Sequence, residues 1–224
     1  MSQPSPAFAD HPPTSAVAPD ELAARLASKL CHDFISPAGA IVSGLDLLED
    51  PTAKDMRDEA MDLIASSARK LVDLLAFARV AYGSSGGAEI FDCAELQRLT
   101  LGVYAHVRAE LDWASAPPAL PKAAARVMVN LAQIAAGALP LGGVARVEAR
   151  LQGGDYVIEV AAKGPKARLH GEVLAGLTGQ PLGDGLGGRW VQAYYAYAVA
   201  AGAGGQIQAS AEDELVALRA RLPA

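Results

Sequence analysis

Aromatic residues are scarce: Phe, Trp and Tyr together make up 5% of the chain. β-Sandwiches and barrels draw on aromatic and β-branched side chains, so this shortage tilts the reading toward helices. It also leaves little with which to stack on nucleic-acid bases. Basic residues are not in excess. The formal net charge is −6, with −4 over residues 20–82 (seven basic, eleven acidic) and −1 over residues 88–224 (twelve basic, thirteen acidic). Without a basic stripe, binding to a phosphate backbone has no footing. The two cysteines, Cys31 and Cys93, form neither a metal spacing nor a disulfide framework, and read as free thiols of a reducing cytoplasm. No stretch approaches the ~18 uninterrupted apolar residues of a membrane span. No basic segment followed by an apolar run marks a secretory signal.

What is present is Ala, Leu and helical periodicity. Hydrophobic residues make up 51% of the chain, enough to fill a core. Residues 1–19 carry Pro4, Pro6, Pro12, Pro13 and Pro19 and read as a disordered tail. Asp20 is a candidate N-cap for a helix whose apolar residues Leu22, Leu26, Leu30, Phe34, Ile41, Leu45 and Leu48 recur at helical spacing. Asp50-Pro51-Thr52 breaks it. A second helical pattern carries Met56, Ala60, Leu63, Ile64, Leu71, Leu74 and Leu75, and a Gly/Ser hinge follows at 83–87. The two helices form an antiparallel hairpin, residues 20–82, with apolar stripes that need a cover. A second copy completing a four-helix bundle, through Leu71 and Leu74, is the simplest one; packing on the rest of the same chain is the rival.

Residues 88–224 read as an α/β sandwich, helices against one mixed sheet. Asp92 and Glu95 make a capping box for a helix running to about Ala109. Pro121 starts another. Val144–Leu151 alternates as a strand, turns at Gly153-Gly154-Asp155, and returns as Tyr156–Ala161. After a short helix, Gly183-Asp184-Gly185-Leu186-Gly187-Gly188 leads into a helix from Arg189 to about Ala201, and two segments with strand character, Gln206–Ser210 and Leu215–Leu222, close the chain. The fold class is therefore α+β.

The chemistry concentrates on the first helix. On a helical wheel His32 lies almost opposite the apolar stripe, beside Arg25, Ser28, Lys29, Ser36, Gly39 and Ser43. A lone surface histidine is ordinarily inert, but its neighbours each have a use. Asp33 can fix the ring tautomer or take its proton. Ser36, one turn on, shares its face. Pro37 removes the helical donor to the carbonyl of Asp33, which should bend the helix just past the histidine. His11, His106 (read as mid-helix) and His170 (starting a short helix) lack such company, and no histidines and carboxylates stand at metal-ligand spacing.

The run His32-Asp33-Phe34-Ile35-Ser36-Pro37 resembles the phosphoacceptor box of sensor histidine kinases, and the second half resembles their ATP-binding domain in element order. Of the paired asparagines such kinases use around magnesium, Asn130 matches the first, while the second falls on Ile134. The aspartate that meets adenine falls on Ala162, and the segment before the last glycine box is short for a nucleotide lid. An acceptor histidine beside a degenerate ATP-binding domain resembles the ChpT-type histidine phosphotransferase family of alphaproteobacterial phosphorelays.

That resemblance implies a cytoplasmic homodimer that accepts a phosphoryl group on His32 from a receiver-domain aspartate of a hybrid histidine kinase and passes it to response-regulator receivers. Asp33 and Ser36 would assist. The exposed residues around His32, namely Arg25, Ser28, Lys29, Gly39 and Ser43, are the expected docking face, with Arg25 and Lys29 as cations facing the acidic pocket of a receiver and with help from the second domain. No cofactor, ATP, membrane or nucleic acid is implied, and Mg2+ is expected on the receiver. Two other readings fit the residues: a receiver-binding module without catalysis, and an active histidine kinase with an unusual ATP site.

Overall fold

The computed structural model describes residues 17–83, 89–182 and 187–224, and of Ser115 only the backbone. The expected tail up to residue 16, most of the expected hinge and the Gly183–Leu186 part of the glycine run lie outside the described residues.

Helix α1 spans Pro19–Glu49 and α2 spans Arg57–Ala81, joined through a short 3-10 turn at Lys54–Met56. The N-cap of α1 is Ala18, not the expected Asp20, and it makes no side-chain cap. Pro19 instead opens the helix, where its missing N–H costs nothing, and Asp20 and Glu21 complement the dipole of the first turn. Val17, which falls within the tail read from composition, is tied down: its N–H donates to Tyr194 Oη at 2.9 Å. α1 runs unbroken through Pro37, which is buried. Farther along, a Cβ on Gly44 would fall 2.6 Å from Cγ1 of Ile64 and 3.1 Å from the carbonyl of Ala60. Small residues thus bring the two helices together closely.

The remaining elements are β1 (Ile90–Asp92), α3 (Cys93–Tyr104), β2 (Ala109–Ser115), β3 (Ala119–Pro121), α4 (Lys122–Gly137), β4 (Gly143–Gln152), β5 (Asp155–Lys163), α5 (Gly171–Leu177), α6 (Gly188–Gly202), β6 (Gln206–Glu212) and β7 (Leu215–Pro223). β1 and β3 pair antiparallel. The main sheet has the order β2-β4-β5-β7-β6, parallel only between β2 and β4. Half of the capping box forms: Glu95 N–H donates to Asp92 Oδ1 at 3.0 Å, while the Glu95 carboxylate accepts from Arg98. The helix it starts ends at Tyr104, not Ala109, and the chain turns into a strand missed in the sequence.

Alternation along the strands sets the layers. Val147, Ile158 and Leu218 point into the core beneath the helices, while Arg146, Glu148, Arg150, Glu159 and Arg219 form ion pairs across the open face. The hairpin is not a separate body. Phe77 and Ala81 of α2 belong to the same buried cluster as α4 and the sheet, with Leu74 packed against it. At the other end Leu22 and Leu26 of α1 pack on Trp190, Val191 and Tyr194 of α6. His106 falls in the turn after α3 and not mid-helix; its Nε2 lies 2.8 Å from Asp73 Oδ2 of α2, tying the hairpin to the sandwich.

Candidate functional site

His32 projects from the middle of α1 with 88% of its side chain exposed. Its Nδ1 lies 3.6 Å from Asp33 Oδ1, beyond a hydrogen bond but within reach of a small side-chain rotation. Asp33 is fixed from the other side: Lys29, one turn earlier, donates to its Oδ2. This pairing corrects one expectation. Lys29 was read as a free cation of the docking face, yet only 11% of its side chain is exposed and its charge is spent on Asp33. Arg25 is likewise engaged. It pairs with Glu21 at 2.7 Å and its guanidinium sits 5.6 Å from the ring centre of Trp190. Ser28, Ser36, Gly39 and Ser43 are exposed as expected, and nothing lies within 4 Å of where a Gly39 Cβ would be.

Tyr82, just past the end of α2, lies near this site. Its hydroxyl is buried without a hydrogen-bond partner among the described residues. Burial first, then the charge of Asp33, then Tyr195, push the phenol far above its ordinary range, so it stays neutral. Cys31, beside His32, is exposed. Cys93 is buried, and that burial, with Asp92, pushes its thiol up to about 11.

Helices α5 and α6 supply a wall of the site; the sequence reading expected help from this half of the chain but named none of its residues. A cleft of roughly 680 Å³ has Ser28, His32 and Asp33 on one side and Glu172, Gly187, Arg189 and Gln192 on the other. The only prior signal was the glycine run and the helix after it; nothing in the sequence said that this run would face His32.

The positions aligned with nucleotide ligands are committed elsewhere. Asn130 is fully buried; its Nδ2 donates to the carbonyl of Arg126 at 2.9 Å and its Oδ1 accepts from Gln192 Nε2 at 3.4 Å. Gln192 also donates to Gln133 Oε1 at 2.6 Å. Asn130 therefore joins α4 to α6. Ile134 and Ala162 are buried apolar residues that offer no polar atom to a metal or a base. Among the described residues no three His, Cys, Asp or Glu side chains converge as metal ligands, and no helix is long and apolar enough to cross a membrane.

The profile of the histidine phosphotransferase C-terminal domain family matches residues 93–215. The protein phosphotransferase ChpT of Brucella abortus (strain 2308) is 38% identical over 200 residues, covering 86% of this chain and 92% of that protein. A bacterial phosphotransferase solved at 1.7 Å superposes with a TM-score of 0.83 at 32% identity, covering 93% of this chain and 100% of that one. The Acinetobacter baumannii histidine kinase AdeS superposes with a TM-score of 0.47 at 12% identity, covering 86% of this chain and 97% of that one.

Proposed function

Because this chain belongs to the histidine phosphotransferase family, and so is a phosphotransferase of the phosphorelay kind, we propose that His32 is the residue that carries the phosphoryl group between receiver domains. The observation that supports it most is the placement of an exposed imidazole beside a carboxylate already anchored by a lysine. A small rotation that brings Nδ1–H onto Asp33 leaves Nε2 with its lone pair directed outward as the nucleophile.

In the first half-reaction Nε2 attacks the phosphorus of a receiver's aspartyl phosphate. An N–P bond forms, the acyl O–P bond breaks, and its electron pair stays on the receiver carboxylate. Asp33 stabilises the positive charge that develops on the ring. In the second half-reaction a carboxylate of another receiver attacks the phosphorus, and the N–P pair returns to the imidazole. Catalysis of this kind is mostly positioning and charge neutralisation. The Mg2+ for both steps belongs to the receiver, and Ser36 offers a hydroxyl to a phosphoryl oxygen.

The docking face is the His32 side of α1. Ser28, Ser36, Gly39 and Ser43 keep it low, so another protein can approach the helix closely. Arg25 and Lys29 contribute to its potential through their pairs and not as free charges. No ATP is required, because Ile134 and Ala162 stand where kinases use polar ligands. The active chain is a homodimer. Ile35 and Val42 on α1 and Met61, Val72 and Leu75 on α2 are exposed apolar side chains at the spacing of a helix-bundle seam. A second copy removes them from water.

Incubation with a receiver carrying a labelled aspartyl phosphate tests the reading. The label should move to this chain and there be acid-labile and base-stable, as a phosphoramidate is. Label that is lost in base marks an acyl phosphate and refutes the assignment.

A further inference from the structure

A smaller cavity lies next to the His32 cleft, between α4, α6 and the segment leading into α5. Its volume is roughly 70 Å³. That is several times the ~10–15 Å³ one water needs and well below the ~300 Å³ at which sites for drug-sized ligands begin. The size selects an ion of a few heavy atoms and excludes a nucleotide.

Its lining selects the sign of charge. Of the residues lining it, Arg168 and Arg189 carry cationic side chains, His170 an imidazole and Gln133 and Gln192 amides; Ile134 is apolar, and none is a carboxylate. Arg168 and Arg189 have no ion pair or side-chain hydrogen bond among the described residues. A guanidinium cannot shed its charge, and its planar fork of donors matches two oxygens of a phosphate. The histidine between them feels the same field. Burial first, then Arg189 and Arg168, hold His170 below its ordinary range, with Glu172 opposing. Glu172 itself lines the His32 cleft and not this cavity.

We propose that this cavity is a binding site for a small phosphate anion, either inorganic phosphate or the phosphomonoester end of a metabolite. Arg189 and Gln192 line both this cavity and the His32 cleft, so the occupant sits beside the transfer site. Binding here does not depend on phosphotransfer and can be measured on the unphosphorylated chain.

The test follows the histidine ring resonances of the full-length protein by NMR in a phosphate-free buffer. Inorganic phosphate is added at constant ionic strength, with chloride as the control. The His170 signals should shift saturably with phosphate and not with chloride, while those of His106 stay put. The His170 titration midpoint should rise in phosphate, because an anion offsets Arg168 and Arg189. Arg168→Gln with Arg189→Gln, both exposed positions, should weaken the effect at least about tenfold, since each removes a charge-assisted contact. Ribose 5-phosphate forms the second arm. Tighter saturation than with inorganic phosphate identifies a phosphomonoester, and weaker or equal saturation identifies the free anion; both support the site. A drift that never saturates, that chloride reproduces, or that persists unchanged in the double variant overturns the proposal.

Discussion

His32 and Asp33 are neighbours in sequence and also in space: Nδ1 of the imidazole stands 3.6 Å from Oδ1 of the carboxylate, while Lys29 engages the other oxygen. The lysine fixes a carboxylate that would otherwise rotate freely on a helix surface. In the proposed mechanism that fixed acceptor selects which ring nitrogen keeps its proton. Asp33→Asn should therefore slow phosphoryl uptake about 10- to 100-fold, within the span of general acid–base contributions. Lys29→Ala should slow it less, since the carboxylate remains. Rapid-quench measurement with a phospho-receiver and circular dichroism of each variant make the comparison. Full-rate uptake by Asp33→Asn would remove the carboxylate from the mechanism.

The dimer seam is predicted from exposure. Val72 is 64% exposed and Met61 52% exposed on the single chain, and apolar area left in water costs about 25 cal/mol per Å². Light scattering should give twice the 23.0 kDa of one chain. Val72→Glu should give folded monomers, because the residue makes no part of the intrachain core. A monodisperse wild-type monomer would contradict the assembly.

Gly39→Arg should block transfer from a receiver and leave dimer mass and thermal midpoint unchanged. The position is open to solvent on the single chain, with nothing for an added Cβ to strike; because it lies one turn from Ile35 and Val42 of the proposed seam, unchanged dimer mass is the control that assigns the block to the receiver. Transfer at the parental rate would mean that receivers dock elsewhere.

Asn130 is predicted to be structural. It is fully buried and hydrogen-bonded to Arg126 and Gln192, so Asn130→Ala should cost about 1–3 kcal/mol of stability, the usual penalty for orphaning buried partners. Its folded fraction should transfer normally. Calorimetry of the parent protein with ATP and magnesium should show no heat of binding at millimolar concentrations. A micromolar dissociation constant would revive the kinase reading.

Much of this was legible in the sequence because it is local. The helical repeat of Leu22 through Leu48, the capping box at Asp92 and Glu95, and the hairpin around Gly153-Gly154 are all patterns within one element. The strand β2 was not legible. Ala109–Ser115 owes its conformation to parallel pairing with β4, some thirty residues on, and Leu111 and Trp113 alone are too short an alternation to outweigh the preceding helix. The proposed seam is drawn through other residues than the sequence reading used, for a related reason. α2 has apolar residues on two sides, and a wheel cannot tell which side meets its own chain. Leu74 packs against the shared core, and Leu71 is half-buried; Met61, Val72 and Leu75 face outward. The charges of the docking face also changed meaning, because Lys29 and Asp33 satisfy each other one turn apart. The wall of the cleft formed by Arg189 and Gln192 depends on how α6 lies against α1, which Trp190 and Tyr194 determine through Val17 and Leu22.

The central claim is that His32 carries the phosphoryl group, and its most direct test is transfer between two receivers with the wild type and His32→Ala compared side by side. Labelled phospho-receiver, this chain and a second receiver are mixed, and the label on each is followed in time. The wild type should gain label transiently and pass it on. His32→Ala should gain none and pass none, while melting within about 0.5 kcal/mol of the wild type, as expected for an exposed helical position. Label arriving on the second receiver through the His32→Ala variant at the wild-type rate would contradict the account.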